Sequence, residues 1–324
     1  MIEAIAYLIF GLILLIYSAD KFILGAAATA GYLGVSSMVV GLIIIGFGTS
    51  APEMVVSAIA AMKGNPGLAL GNAVGSNIAN IALVLGVGIA VTPLLIASAT
   101  IKRELPMLLV ISLFVLMLMW DGEQSRMDGI ILLASVLSMT VWMAWLGLKQ
   151  SKEKDILQKE FEAEIPQDVS KTAALLWLAF GIIMLPVASM LIVDGATIIA
   201  KIMGMSDVAI GLTIVALGTS LPELSATIAC MRKNEHDLAL GNILGSNMFN
   251  LLGVLGISAT IKSYEMPADF LQTEYLVMLD LTFALLVLSM VYVSKNKPIP
   301  RFYGYLFVAS YLAYMVWLYM RSVA

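Results

Sequence analysis

Two short polar runs sit inside strongly apolar stretches of this chain, 170 residues apart. The first is Gly48-Thr49-Ser50-Ala51-Pro52-Glu53 and the second is Gly218-Thr219-Ser220-Leu221-Pro222-Glu223. Each is followed at the same distance by another signature, Gly71-Asn72-Ala73-Val74-Gly75-Ser76-Asn77 and Gly241-Asn242-Ile243-Leu244-Gly245-Ser246-Asn247. A carboxylate in the middle of an apolar span costs several kcal/mol, so Glu53 and Glu223 call for a function. Around them stand hydroxyls (Thr49, Ser50, Ser76, Thr219, Ser220, Ser246) and amides that include Asn80 and Asn250. Each contributes a hard oxygen, and together they suit the coordination of a hard cation.

Proline inside a helix removes a backbone hydrogen bond and clashes with the carbonyl four residues earlier. Pro52 and Pro222 therefore loosen the chain near Gly48 and Gly218, and carbonyls freed at membrane depth must face protein, water or an ion. Gly71, Gly75, Gly241 and Gly245 are spaced for close helix approach. Ser76 and Asn80, and likewise Ser246 and Asn250, are four apart and share a helix face. Asn72 and Asn242 could equally well only join helix to helix. Two carboxylates held close without a counter-charge repel and tend to take up protons, which a bound cation prevents. Mixed carboxylate, hydroxyl, amide and backbone oxygens suit Ca²⁺, and they also suit Na⁺. The set does not suit zinc or copper, because no span carries a histidine and the chain has a single cysteine, Cys230. Two glutamates carry −2. One Ca²⁺ or two Na⁺ neutralise that charge, so the ions compete for the same oxygens.

These groups need elements that hold them at membrane depth. The chain has 324 residues, of which 60% are hydrophobic and only 12% charged, and its mean hydropathy is +0.97. Apolar runs of about 20 residues recur, enough to cross a hydrocarbon core. This predicts an all-α integral membrane protein with spans near 4–32, 36–61, 67–91, 104–120, 128–147, 172–200, 207–230, 238–258, 269–293 and 302–321. The N-terminus lacks a basic n-region and its apolar run continues into a full span, so it is expected to remain. Basic residues are too few and scattered for a nucleic-acid surface. Cys230 reads as a small core residue and His236 as a solvated loop residue.

Between Gly41 and Gly86, 21 of 46 positions are identical to the residue 170 further on. The polar stretch 149–171 divides the chain into halves, 1–148 with core motifs in 34–86 and 172–324 with core motifs in 204–256. Each half holds an odd number of spans, so the second enters the membrane from the opposite face. The expected architecture is ten transmembrane helices in two inverted-topology five-helix repeats, kinked or broken at the ion site. With the N-terminus outside, inner segments carry twelve basic residues and outer ones five. That bias favours an N-out orientation, with 149–171 as a cytoplasmic linker.

On the two doubled motifs the chain resembles the calcium/cation antiporter superfamily, and within it the sodium/calcium exchangers of prokaryotic type. There the duplicated regions carry G-[TS]-S-x-P-E and G-N-x-x-G-S-N. The resemblance implies a secondary antiporter that exchanges Ca²⁺ for Na⁺ by alternating access, in a prokaryotic inner membrane, with no cofactor and no required oligomer. Its partners would be the two ions and the lipid bilayer. Carried over, Glu53 and Glu223 are the paired central carboxylates, and Thr49 and Thr219 assist at the calcium position. Ser50, Ser76, Ser220 and Ser246 correspond to sodium-coordinating serines, and the carbonyls of Gly46 and Ala216 to flanking sodium sites. Asn80 is a central polar ligand. Its partner Asn250 stands where some relatives, including potassium-dependent ones, have aspartate, which argues against required potassium cotransport. The first and sixth spans correspond to helices that slide to switch access. They carry Asp20 and Asp194, which read as helix-terminal or interface residues.

The nearest alternative is Ca²⁺/H⁺ (or other divalent cation/proton) exchange on the same fold, with Glu53 and Glu223 titrating. An intramembrane serine protease would need a general base near its serine, and no span supplies a histidine. Asp20 and Asp194 lack the flanking motifs of an aspartyl mechanism. A channel would show turnover far above about 10³ per second. The expectation is therefore a transporter rather than an enzyme.

Overall fold

The computed structural model describes residues 2–33, 41–62, 64, 66–96, 100, 102–152, 169–202, 216–267 and 269–323. Helices dominate: α1 (Ile2–Leu33), α2 (Gly46–Thr49), α3 (Ala51–Met62), α4 (Pro66–Ala79), α5 (Gly86–Val91), α6 (Glu104–Leu118) and α7 (Arg126–Lys152). They continue as α8 (Lys171–Ile202), α9 (Ala216–Thr219), α10 (Leu221–Arg232), α11 (His236–Phe249), α12 (Leu255–Ile261), α13 (Leu276–Ser294) and α14 (Arg301–Val323). Wider π-helical turns occupy Gly41–Ile45, Asn80–Leu85, Asn250–Val254 and Leu271–Tyr275. The turn at Asn80–Leu85 joins α4 to α5, and the turn at Asn250–Val254 joins α11 to α12.

Among the described residues, six helical stretches are long and apolar enough to cross a bilayer: Glu3–Ala26, Pro66–Val91, Arg126–Leu146, Lys171–Ala188, His236–Ile261 and Leu271–Ser294. The pair Gly41–Thr49 and Ala51–Met62, bent by 46°, makes a seventh. The protein is an all-helical membrane protein. The expected span 104–120 appears as α6, whose 15 residues fall short of the ~20 that cross the hydrocarbon core upright. Residues 36–40 and 207–215 of the second and seventh expected spans lie outside the described residues. So do 153–168 of the expected linker, while α7 runs on to Lys152.

Burial separates a core from a lipid-facing shell. The most apolar window is wholly buried in His236–Ile261 and 72% buried in Pro66–Val91, but only 22% buried in Leu271–Ser294. The two stretches with the second signature are thus the centre of the molecule. Outer helices turn residues such as Phe10, Ile13 and Ile16 of α1 outward, as a lipid boundary requires.

After α6, β1 (Glu123–Gln124) pairs antiparallel with β2 (Tyr264–Glu265), which follows α12. After α5, Leu94 bridges to Ile299, which follows α13. The two contacts mirror each other, since each joins the connection after the third span of one half to the connection after the fourth span of the other. The hydropathy pattern does not reveal these short contacts, because strands of two residues carry no periodicity.

The long helices α1 and α8 pack directly on each other. An added Cβ on Gly25 would lie 2.7 Å from the Ala174 carbonyl oxygen, and one on Gly195 2.7 Å from that of Ala4. The crossing order, Gly25 with Ala174 and Ala4 with Gly195, makes them antiparallel. This is the direction expected when equivalent helices of two halves enter from opposite faces.

Candidate cation site

Each first signature breaks its helix at serine. Ser50 (φ −80°, ψ 2°) separates α2 from α3, and Ser220 (φ −86°, ψ 3°) separates α9 from α10. Proline thereby falls in the first turn of the new helix, where its missing N–H is tolerated. Glu53 and Glu223 follow in those first turns, near the positive ends of the helix dipoles. Gly46 O does not stay free at the break. It accepts from Ser50 N at 3.1 Å and lies 3.3 Å from Ser246 Oγ, which donates to it.

The glycines of the second signature bring α11 against the first break. A Cβ on Gly245 would lie 2.1 Å from the Leu42 carbonyl oxygen, so only glycine fits there. This approach carries Asn242 and Ser246 to the break. Thr49 Oγ1 is 3.0 Å from Asn242 Oδ1 and 3.1 Å from Ser246 Oγ. The mirrored contact runs from Thr219 Oγ1 to Asn72 Oδ1 at 3.3 Å.

Asn72 and Asn242 also hold the glutamate helices. Asn72 donates through Nδ2 to the Glu53 carbonyl (3.4 Å) and Ser57 Oγ (3.1 Å). Asn242 does the same to the Glu223 carbonyl (3.3 Å) and Thr227 Oγ1 (3.2 Å). The two asparagines are therefore joints between halves, and their amide groups are fully committed. Ser57 and Thr227 belong to the same joints. Sequence reasoning missed them, although their 170-residue offset was the signal that could have found them.

The two carboxylates are fully buried and near enough to repel each other. The Thr219 and Ser76 hydroxyls stand beside Glu53, and those of Thr49, Ser246 and Ser50 beside Glu223. Ser50 Oγ donates to Glu223 Oε1 at 3.5 Å. Glu53 Oε1 and Oε2, Glu223 Oε2, Ser76 Oγ, Ser220 Oγ, Asn80 Oδ1 and Asn250 Oδ1 are buried with no hydrogen-bond partner among the described residues. Neither glutamate belongs to an ion pair found among the described residues. Buried charges without a partner cost several kcal/mol each. This concentration of oxygens, with no cationic partner among the described residues, fits a positively charged guest.

Of the expected site residues, Glu53, Glu223, Thr49, Thr219, Ser50, Ser220, Ser76, Ser246, Asn80 and Asn250 are all buried in this central layer. Ala216 opens α9, next to residues 203–215, which lie outside the described residues. Asn80 and Asn250 each begin a π-helical turn, which the pattern of four-residue spacing does not announce. Such turns concentrate at functional sites because the extra residue re-aims neighbouring groups.

A family model described as sodium/calcium exchanger protein matches residues 3–145 and 173–320, the regions on both sides of the expected linker. The chain belongs to the sodium/calcium exchanger family. Among similar proteins, the putative antiporter CaxA of Alkalimonas amylolytica is 41% identical over 98% of this chain and 99% of its own length. The inner membrane protein YrbG of Escherichia coli (strain K12) is 38% identical over 99% of this chain and 98% of its own. A solved structure of the sodium-calcium exchanger NCX_Mj, soaked with Na⁺ and Sr²⁺, superposes with a TM-score of 0.83 at 32% identity. It covers 97% of this chain and 98% of that one. The protein is thus a membrane exchanger, a transporter rather than an enzyme.

Several charged groups of this exchanger stand apart from the central layer. Asp20 of α1 pairs with Lys233, which follows α10, at 2.6 Å. Their side chains are 54% and 38% exposed, so the pair is worth roughly 0–1 kcal/mol. Asp194 is exposed. Cys230 is buried among apolar side chains, as its surroundings in the sequence suggest. His236 opens α11 and is half-buried rather than free in a loop.

Proposed function

We propose that this protein exchanges Ca²⁺ for Na⁺ across a bacterial-type inner membrane by alternating access, with its N-terminus outside. The observation that carries this reading is the pair of buried, neighbouring carboxylates of Glu53 and Glu223. They have hydroxyl and amide oxygens around them and, among the described residues, no cationic partner. Glu53 and Glu223 take Ca²⁺ together, helped by Thr49 and Thr219. Ser50, Ser76, Ser220 and Ser246 supply Na⁺ ligands, with the carbonyls of Gly46 and Ala216 at the flanks. Asn80 and Asn250 add amide oxygens at the centre. The domain organisation follows the repeat: 1–148 and 172–324 are the two five-helix halves, and 149–171 links them in the cytoplasm.

The donor set supports a transported ion over a resident one. Among the described residues no group of three His, Cys, Asp or Glu comes together. Two carboxylates plus neutral oxygens hold Ca²⁺ loosely enough to release it, whereas higher charge counts raise affinity. Exchange follows because Ca²⁺ and Na⁺ need the same two charges.

A second reading uses H⁺ as the coupling ion. It is favoured by the carboxylate oxygens that have no hydrogen-bond partner, since those positions can take a proton when the cation leaves. ⁴⁵Ca²⁺ uptake into proteoliposomes of the purified protein separates the two. Uptake driven by an imposed Na⁺ gradient, and not by a pH gradient, is the expected result. Uptake driven by the pH gradient alone would overturn the sodium reading.

A further inference from the structure

Four asparagines interlock across the two halves where α4 and α11 run into their π-helical turns, and two of them, Asn77 and Asn247, are not among the proposed cation ligands. All four side chains are buried. Asn77 Nδ2 donates to the backbone carbonyl of Asn247 at 3.2 Å. Asn250 Nδ2 donates to Asn77 Oδ1 at 3.1 Å, and Asn80 Nδ2 to Asn247 Oδ1 at 3.0 Å. Among the described residues, the oxygens Asn80 Oδ1 and Asn250 Oδ1 have no hydrogen-bond partner, and neither has Asn247 Nδ2.

The orientation of one amide follows from a group that cannot turn. A backbone carbonyl only accepts, so Asn77 must present its nitrogen to Asn247 O. Its oxygen then faces Asn250. That oxygen also only accepts, so Asn250 must answer with its nitrogen. The planar amide consequently turns Asn250 Oδ1 away from the contact. On the other side no backbone carbonyl fixes the amide. Asn247 holds Asn80 through Oδ1, but its own nitrogen grips nothing, so this pair can turn over together without losing a backbone bond.

We infer that Asn77 and Asn247 are positioning residues for the cation site, acting through Asn250 and Asn80. Asn77 locks Asn250 as a standing oxygen donor. Asn247 leaves Asn80 reversible, oxygen-inward when a cation is bound. The two halves, alike in sequence here, are thereby unequal in function. This inference rests on the reading of the central layer as a cation site.

The test is a double-mutant cycle read by equilibrium ⁴⁵Ca²⁺ binding to the full-length purified protein. Asn77→Ala is expected to weaken Ca²⁺ binding roughly tenfold, the order of one lost buried hydrogen bond. Asn247→Ala is expected to weaken it less. In an Asn250→Ala background, Asn77→Ala is expected to change nothing further, because its effect passes through Asn250. If Asn77→Ala does not fold, Asn77→Ser takes its place in the same cycle. Additive losses, or a larger loss from Asn247→Ala, overturn the inference and leave the exchange reading intact. A wild-type protein that binds Ca²⁺ but couples it to H⁺ ends the sodium reading and leaves the inference standing. Wild-type protein that binds no Ca²⁺ overturns both.

Discussion

Thr49 and Asn242 lie 193 residues apart in the chain, yet the Thr49 hydroxyl sits 3.0 Å from Asn242 Oδ1. Asn242 has no freedom to turn, because its nitrogen is held by the Glu223 carbonyl and Thr227 Oγ1. The contact therefore ties the helix break of one half to the glutamate helix of the other. Thr219 and Asn72 repeat it with the halves exchanged. Each carboxylate is positioned by its own half and surrounded by hydroxyls of both.

This tie predicts how the halves fail. Thr49→Val keeps the shape and removes the hydroxyl, leaving Asn242 Oδ1 buried without its Thr49 partner. The expected cost is about 1–3 kcal/mol of stability, read as a lower melting temperature in detergent. Asn242→Ala should cost more, since it releases Glu223 and Thr227 as well as Thr49. Equal melting of the wild type and Thr49→Val would show that the hydroxyl contributes nothing to the joint.

The uncompensated carboxylates predict opposite effects on stability and transport. Glu53→Gln or Glu223→Gln leaves one carboxyl where the ion-free protein must hold two side by side, a pair that costs stability whether it repels or takes up a proton. Each variant should melt above the ion-free wild type and move Ca²⁺ at least a hundredfold more slowly in proteoliposomes. Ca²⁺ should raise the melting temperature of the wild type, because a ligand that binds only the folded state stabilises it, and should not raise that of the variants. Near-normal flux in either variant would remove that glutamate from the site.

Close approach at Gly245 predicts a steric failure. The space for a Cβ is taken by the Leu42 carbonyl oxygen at 2.1 Å, which is backbone and cannot swing aside. Gly245→Ala should separate α11 from the π-helical turn Gly41–Ile45, and much of the protein should be lost as aggregate on size-exclusion chromatography. A monodisperse Gly245→Ala protein with wild-type Ca²⁺ affinity would show that the helices can part without cost.

Asn250→Asp tests ion choice. The substitution adds a carboxylate to a layer that holds two. It should raise affinity for cations and shift the Na⁺ and K⁺ dependence of flux, while expression changes little. Unchanged dependence on both ions would mean that position 250 does not set selectivity.

By contrast, Lys233→Met should leave Ca²⁺ affinity unchanged and shift stability by no more than about 1 kcal/mol. Its partner Asp20 and the pair itself are partly exposed, and such pairs contribute little. A large loss of affinity would place this contact in the transport machinery.

The sequence by itself determined the membrane class, the duplication and the identity of the central groups. Hydropathy over about 20 residues and repeats at a fixed offset of 170 are local or one-dimensional facts, and a glutamate in an apolar span is costly wherever it folds. It could not say which asparagines serve as joints and which offer free oxygens. Asn72, Asn77, Asn80 and their partners 170 residues on have the same side chain, and only the neighbours brought in from the other half tell them apart. Nor could it show the π-helical turns at Asn80 and Asn250, since one extra residue in a turn leaves the hydrophobic pattern almost unchanged. Two-residue strands were hidden because they carry no periodicity, and the prolines announced a break in each helix without placing it at Ser50 and Ser220. The tertiary structure decided these points because a hydrogen bond has a direction. An amide whose nitrogen must face a carbonyl has only one way left to point its oxygen, and that choice exists only once the two halves have closed on each other.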